Sequence, residues 1–282
     1  MAIVDASLKT GEFISEILNK INLPTTTRLI LEKLIQIDAK AETFAKIIVK
    51  NQALENALVT QLRALGVKNE ISQLENYLVL MGIHNVRNFI CAYQNIRQFK
   101  KTKPKLGSDG KYDLQIHENL RFALKAEDYA IQKKIPYPDT IFAAGYLFDR
   151  IYLFFKNSKS ELLPSFYRHL DENFQHGLKT ARICYEIYKN NPQIGYGKYI
   201  FSAGLIHDIG RSVMEWLYRN ETYNYHRYLL LIAKKSYDEE TALAIESSLF
   251  GVNHGLFSGL YLWGTEIFRP IEKALLFHHE PF

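Results

Sequence analysis

An all-α fold is predicted, and three observations predict it. Apolar residues recur at three- and four-residue steps along most of the 282-residue chain, the spacing of helices with one buried face. No segment alternates apolar and polar residues for long enough to make a half-buried strand. Glycine and proline are sparse, at 15 and 8 residues, which excludes collagen-like and low-complexity chains. With 47% hydrophobic and 23% charged residues, the composition is that of a folded globular protein with a sizeable core.

From Ser7 to about Ile96 the apolar positions describe a string of short helices, one marked by Leu29, Leu31, Leu34 and Ile35, the next by Phe44, Ile47 and Ile48. Leu23-Pro24-Thr25-Thr26-Thr27 supplies a proline and hydroxyl start signal, and Gly66 and Gly82 punctuate later helices. The stretch from Lys100 to Gly110 is polar, basic and contains Pro104, Gly107 and Gly110. It reads as a connection, with a boundary near residue 106. The expected organisation is an N-terminal helical bundle over 1–105 packed on a C-terminal helical domain over 112–282, with extra sequence near 112–170.

Downstream of the connection the chain repeats itself weakly. His117 and Ile141-Phe142-Ala143-Ala144-Gly145-Tyr146-Leu147-Phe148-Asp149 recur, 59 positions later, as His176 and Ile200-Phe201-Ser202-Ala203-Gly204-Leu205-Ile206-His207-Asp208. Two copies of a helix-loop-helix unit, or a chance likeness of two apolar helices, would both give this pattern. In a true duplication the first copy has lost its chemistry, because Phe148 stands where the second has His207.

The charge balance, 35 basic against 30 acidic residues, is a net +5. Part of the excess lies in the five basic residues between Lys100 and Lys111, where no base-stacking aromatics are interleaved, so a solvated linker is expected and no nucleic-acid partner. Gly107-Ser108-Asp109-Gly110-Lys111 lacks P-loop spacing, and Gly195-Tyr196-Gly197-Lys198 lacks a preceding strand. The two cysteines, Cys91 and Cys184, sit in apolar helical stretches, as in a reducing, cytoplasmic setting. Asp5 stands where a signal peptide needs basic residues, and the longest apolar runs, such as Leu229 to Ala233, are far too short to span a bilayer. No membrane partner is expected.

The sharpest feature is a set of histidines late in the chain: His176, His207, His254, His278 and His279. Around His207 the sequence is Ala203-Gly204-Leu205-Ile206-His207-Asp208-Ile209-Gly210-Arg211. One helical turn before the histidine lie only a methyl group and a bare Cα, leaving room for an ion or a packed helix. Imidazole nitrogen and carboxylate oxygen together suit Zn, Mn or Fe, and phosphoester hydrolysis is the chemistry such a centre serves. Four of these residues also have a plain structural account: an i,i+3 pair with Arg211 for Asp208, a ring aligned with Thr180, Ile183 and Ile187 for His176, and a packed or helix-capping imidazole after the Pro270 helix for His278 and His279.

Leu23-Pro24, Asn51-Gln52-Ala53-Leu54 and the run from Ser72 to Asn88 resemble the N-terminal half of the HDOD family. His176, the Ala203 to Gly210 segment, Phe250 to His254 with Trp263, and His278-His279-Glu280-Pro281 are similar to its HD-like half. The resemblance covers roughly residues 15 to 282. It implies a bacterial, all-helical, cytoplasmic signal-transduction module, related to the HD and HD-GYP phosphohydrolases, that acts by binding a signalling partner. By the same resemblance His176, His207, Asp208, His254, His278 and His279 match metal ligands of those relatives. A later aspartate ligand has no counterpart, Arg211 replaces a common lysine and no Gly-Tyr-Pro signature is present. The expectation is therefore a degenerate pocket with no cofactor. The alternative is a metal-dependent phosphohydrolase or phosphodiesterase holding Mn, Fe or Zn.

Overall fold

The computed structural model describes residues 15–36, 40–66, 74–100, 104–157, 163–192, 197–218, 225–263 and 265–279. The chain start, Ser72-Gln73, Lys101 to Lys103, Gly195-Tyr196 and Glu280-Pro281, all invoked above, lie outside them. The fold is all-α. Among the described residues the only sheet pairs β1 (Lys105–Leu106) with β2 (Tyr112–Asp113), so the expected linker is in part a short antiparallel hairpin. No described helix is long and apolar enough to cross a membrane.

Two compact units divide the chain, Leu23–Leu153 on one hand and Met1–Asn22 with Phe154–Phe282 on the other. The division therefore falls at residue 153, and not near residue 106. The physical reason is visible in the first unit, where α6 (Ile83–Asn95) is tied by buried polar bonds to α7 (Ile116–Asn119), α8 (Arg121–Gln132) and α9 (Pro138–Lys156). Asn95 Oδ1 accepts from the Tyr146 hydroxyl at 2.7 Å and from Arg150 at 2.9 Å, while its Nδ2 donates to the Asn119 carbonyl at 3.0 Å. Arg87, fully buried, forks onto both oxygens of Glu127 and reaches Asp139 at 2.8 Å. Its guanidinium lies 3.5 Å over the Phe142 ring. Residues 112–153 are thus core of this unit, with Phe122, Phe142, Tyr146 and Phe148 fully buried. They are not an appendage between two halves.

The earlier helices of this unit are α2 (Thr25–Ile35), α3 (Ala41–Ile48), α4 (Gln52–Ala64) and α5 (Leu74–Met81). They begin close to the sequence signals: Pro24 precedes α2, Asn51 caps α4 by accepting from the Leu54 amide at 3.2 Å, and Gly82, at φ 80°, separates α5 from α6.

The second unit contains α1 (residues 15–21) and, downstream, α10 (Leu163–Asn190), α11 (Gly197–Ile206), α12 (Ile209–Leu217), α13 (Tyr225–Lys235), α14 (Glu239–Phe250) and α15 (His254–Trp263). A 3-10 turn (Glu266–Ile271) and α16 (Glu272–Leu276) follow. His278 and His279 stand in the turn just past α16.

The internal repeat has a structural echo. A Cβ on Gly145 would lie 2.6 to 2.9 Å from the Phe122-Ala123 backbone, and one on Gly204 would lie 2.6 Å from Ala181 Cα. Each glycine lets its helix meet the preceding one backbone to backbone. The aspartates differ in employment: Asp149 accepts from the Phe122 and Ala123 amides at 2.8 and 2.9 Å, holding the first turn of α8. Asp149→Ala leaves two buried N–H groups unpaired, and a loss of roughly 2–5 kcal/mol is expected in denaturant unfolding. A loss below about 1 kcal/mol would show that the first turn of α8 finds other acceptors.

Candidate metal centre

The site is built on one long helix and one broken one. α11 and α12 run antiparallel to α10 and would be continuous but for a turn at His207-Asp208. The sequence explains the close packing. Gly204 meets Ala181 of α10, and a Cβ on Gly210 would lie 2.2 Å from the His254 carbonyl oxygen at the start of α15. The room left by Gly204 is therefore taken by a packed helix. The Ser258 hydroxyl joins α15 to the break, accepting from the Gly210 amide at 2.9 Å and lying 3.0 Å from the His207 carbonyl. Asn173 on α10 bonds the Asp208 carbonyl at 2.9 Å.

Asp208 stands at the N-cap position of α12 but makes no side-chain cap bond. Its buried carboxylate turns to imidazoles instead. Oδ2 lies 3.3 Å from His207 Nε2 and 3.6 Å from His176 Nε2, and Oδ1 lies 3.2 Å from His254 Nε2 and 3.4 Å from His278 Nε2. His279 Nε2 is 2.7 Å from His254 Nε2. All six residues singled out in the sequence are brought together. They fall into two overlapping sets sharing the aspartate, His176-His207-Asp208 and Asp208-His254-His278-His279.

The other ring nitrogens are anchored. His207 Nδ1 bonds the Gly204 carbonyl at 2.9 Å, His278 Nδ1 the Leu275 carbonyl at 2.7 Å, His254 Nδ1 the Glu246 carboxylate at 2.8 Å, and His279 Nδ1 the Glu239 carboxylate. Glu246, fully buried, is itself held by the Tyr225 hydroxyl at 2.6 Å. Carbonyls and carboxylates only accept, so each of these Nδ1 atoms carries a proton, and the Nε2 atoms of His207, His254 and His278 are turned to Asp208. Anchoring of the distal nitrogen by such acceptors is the usual support of metal-ligating histidines.

Protein donors do not satisfy these groups. Asp208 Oδ1 and His278 Nε2 are both shielded from solvent without a hydrogen bond. Arg211 offers Nη1 to Asp208 Oδ2 at 3.2 Å and Nη2 to His254 Nε2 at 3.3 Å, the i,i+3 pair expected from sequence, and covers part of the cluster. Burial favours a protonated Asp208, but the imidazoles of His207, His254 and His278 and the charge of Arg211 hold its carboxyl well below the usual range. Burial pushes His279 down to about 4, with His278 and His254 acting the same way. Burial also lowers His176 against the pull of Asp208. For His254 burial is outweighed by Asp208 and Glu246, which raise it.

The spacing suits a divalent ion. Ligand atoms held about 2.0–2.2 Å from a common centre lie roughly 3.0–3.6 Å from one another, and the contacts to Asp208 span 3.2 to 3.6 Å. His176, with 55% of its side chain exposed, is at the open edge. Ile183 and Ile187, expected to line a half-buried face with it, are exposed. Trp263 is also exposed and is no part of the cluster. Sequence reasoning missed Glu239 and Glu246, whose only signal is their position on the helix preceding His254, and the supporting Asn173 and Ser258.

Because Gly210 abuts the backbone of α15, Gly210→Ala forces α12 and α15 apart, and a loss of about 1–3 kcal/mol is expected on thermal or urea unfolding. A wild-type midpoint would show that the two helices separate freely. The sequence matches no protein-family model, and comparison with curated proteins and with solved structures gives no significant match.

Proposed function

We propose that this chain carries a divalent-metal centre of the HD type and hydrolyses phosphoesters. The observation that carries the proposal is the convergence of ligand atoms: four imidazole Nε2 atoms lie within 3.6 Å of one carboxylate whose Oδ1 has no hydrogen-bond donor. A dication in either of the two sets would supply the positive charge that these groups lack. His176 and His207 would hold it on the Oδ2 side, and His254, His278 and His279 on the Oδ1 side, with Asp208 common to both. When bound, such an ion polarises a phosphoryl group and activates water.

The protein residues supply the rest. Glu239 and Glu246, through His279 and His254, add the negative charge that a single carboxylate ligand leaves short. A surface groove lined by Arg168, Asp171, Glu172, Gln175, His176 and Lys179 leads along α10 to the exposed edge of the cluster. Lys179 there and Arg211 beside Asp208 provide cations for phosphate oxygens. The setting we infer is reducing and cytoplasmic, for which Cys91 and Cys184, both free thiols, are support.

The second reading, a regulatory module of the HDOD type that binds a signalling protein, is favoured by Arg211, whose guanidinium already offers charge to Asp208. Metal analysis after incubation with Mn, Fe or Zn separates the two, combined with hydrolysis of a chromogenic phosphodiester. Wild type is expected to retain metal and turn over, while His207→Ala and Asp208→Asn lose metal and at least about 100-fold in rate. A wild-type protein that holds no metal and hydrolyses nothing would overturn the enzyme reading in favour of the regulatory one.

A further inference from the structure

The two helices that carry the Asp208 centre carry a second cluster of metal-ligating groups. α10 and α12 are joined by three rungs. His176 faces Asp208 at 3.6 Å, Asn173 donates to the Ser212 hydroxyl at 2.7 Å, and His169 Nδ1 bonds the Glu215 carboxylate. His169 lies seven residues before His176, and Glu215 seven after Asp208. Seven residues make two helical turns, so a histidine-carboxylate rung recurs about 10 Å along the same helix pair.

A third ligand arrives from α13. The His226 ring stacks on His169 with centroids 4.8 Å apart and planes 19° apart, and its Nδ1 lies 4.0 Å from the same Glu215 oxygen. One ligand atom of each residue lies within 4.8 Å of the other two. A histidine-glutamate ion pair needs one imidazole; here two rings from different helices are brought to a single oxygen. His169 and Glu215 are largely buried, whereas His226 has 46% of its side chain exposed.

We propose that His169, Glu215 and His226 form a second divalent-cation site, suited to zinc and similar imidazole-seeking ions and open to solvent on the His226 side. Two imidazoles and a carboxylate are the ligand set of open three-residue zinc sites, whereas magnesium and calcium demand oxygen. The ion replaces the direct His169-Glu215 hydrogen bond, and His226, the exposed member, closes on it. Its fourth position is left to water or an anionic ligand. The site shares no ligand with the Asp208 centre.

Calorimetric titration of the metal-free full chain with Zn2+ alone tests this, using His226→Ala and, separately, Asp208→Asn, with circular dichroism to confirm folding. Wild type is expected to bind one zinc equivalent more than His226→Ala, that equivalent being at least about 100-fold weaker in the variant. Asp208→Asn is expected to keep the His226-dependent equivalent, and millimolar Mg2+ not to displace it. Equal zinc stoichiometry in wild type and His226→Ala would overturn the proposal, as would loss of all zinc binding in folded Asp208→Asn. Asp208→Asn that binds like wild type would instead count against the first centre while leaving this one standing.

Discussion

The second unit is organised around a convergence of imidazoles on one buried carboxylate. Asp208 is buried, ionised and faced by four Nε2 atoms, and three of those rings, His207, His254 and His278, are held from behind by a carbonyl or a carboxylate on Nδ1. A buried carboxylate without adequate donors costs several kcal/mol. Such an arrangement persists only where the surrounding helices over-determine it or where a cation completes it. The helices meet the first condition, and the proposed ion would meet the second. Arg211 covers one oxygen of the aspartate, and the remaining unpaired atoms, Asp208 Oδ1 and His278 Nε2, face each other at 3.4 Å.

The helices impose the arrangement through the break at His207-Asp208. An uninterrupted helix would send consecutive side chains about 100° apart around its axis, whereas the turn there lets both residues direct a ring and a carboxylate to the same volume. The break holds because α10 and α15 grip it from two sides, through glycines that let the backbones approach and through Asn173 and Ser258. An aspartate heading a helix ordinarily stabilises it by accepting from the first-turn amides. Asp208 forgoes that contribution, and its local stabilisation is replaced by packing.

The helical class and the six residues of the centre could be read from the sequence because both are written in local pattern: three- and four-residue spacing, and histidines in apolar surroundings. What the pattern left out is tertiary. Arg87, Glu127 and Asp139 look like surface charges in a linear reading, yet they form a buried ion cluster that binds residues 112–153 to the helices before them. The linker near residue 106 looked like a domain boundary because polar, glycine-containing segments do lie there. The Asn95 and Arg87 networks, formed across 24 to 55 residues of sequence, carry the first unit past it. Glu246 and Glu239 gave no local sign of anchoring rings on another element, and His169 and His226 pair with Glu215 only once α10, α12 and α13 pack.

Comparison of three carboxylate clusters in this one chain shows what separates a structural cluster from a site ready for an ion. Glu127 and Asp139 lie within 3.7 Å of His84, a histidine-carboxylate set by composition, but Arg87 stands among them with its donors already directed at both. Asp149, the repeat counterpart of Asp208, receives two backbone amides. In both places donors and acceptors balance within the protein, and an added dication would have to displace a guanidinium or two N–H groups. Around Asp208 the balance is reversed, because His207 stands where the first repeat has Phe148 and further imidazoles arrive from α10, α15 and the turn after α16. Ligand-type residues are therefore a poor guide by themselves. Among these three clusters the unsatisfied carboxylate oxygen is the discriminating feature, and it singles out the break between α11 and α12.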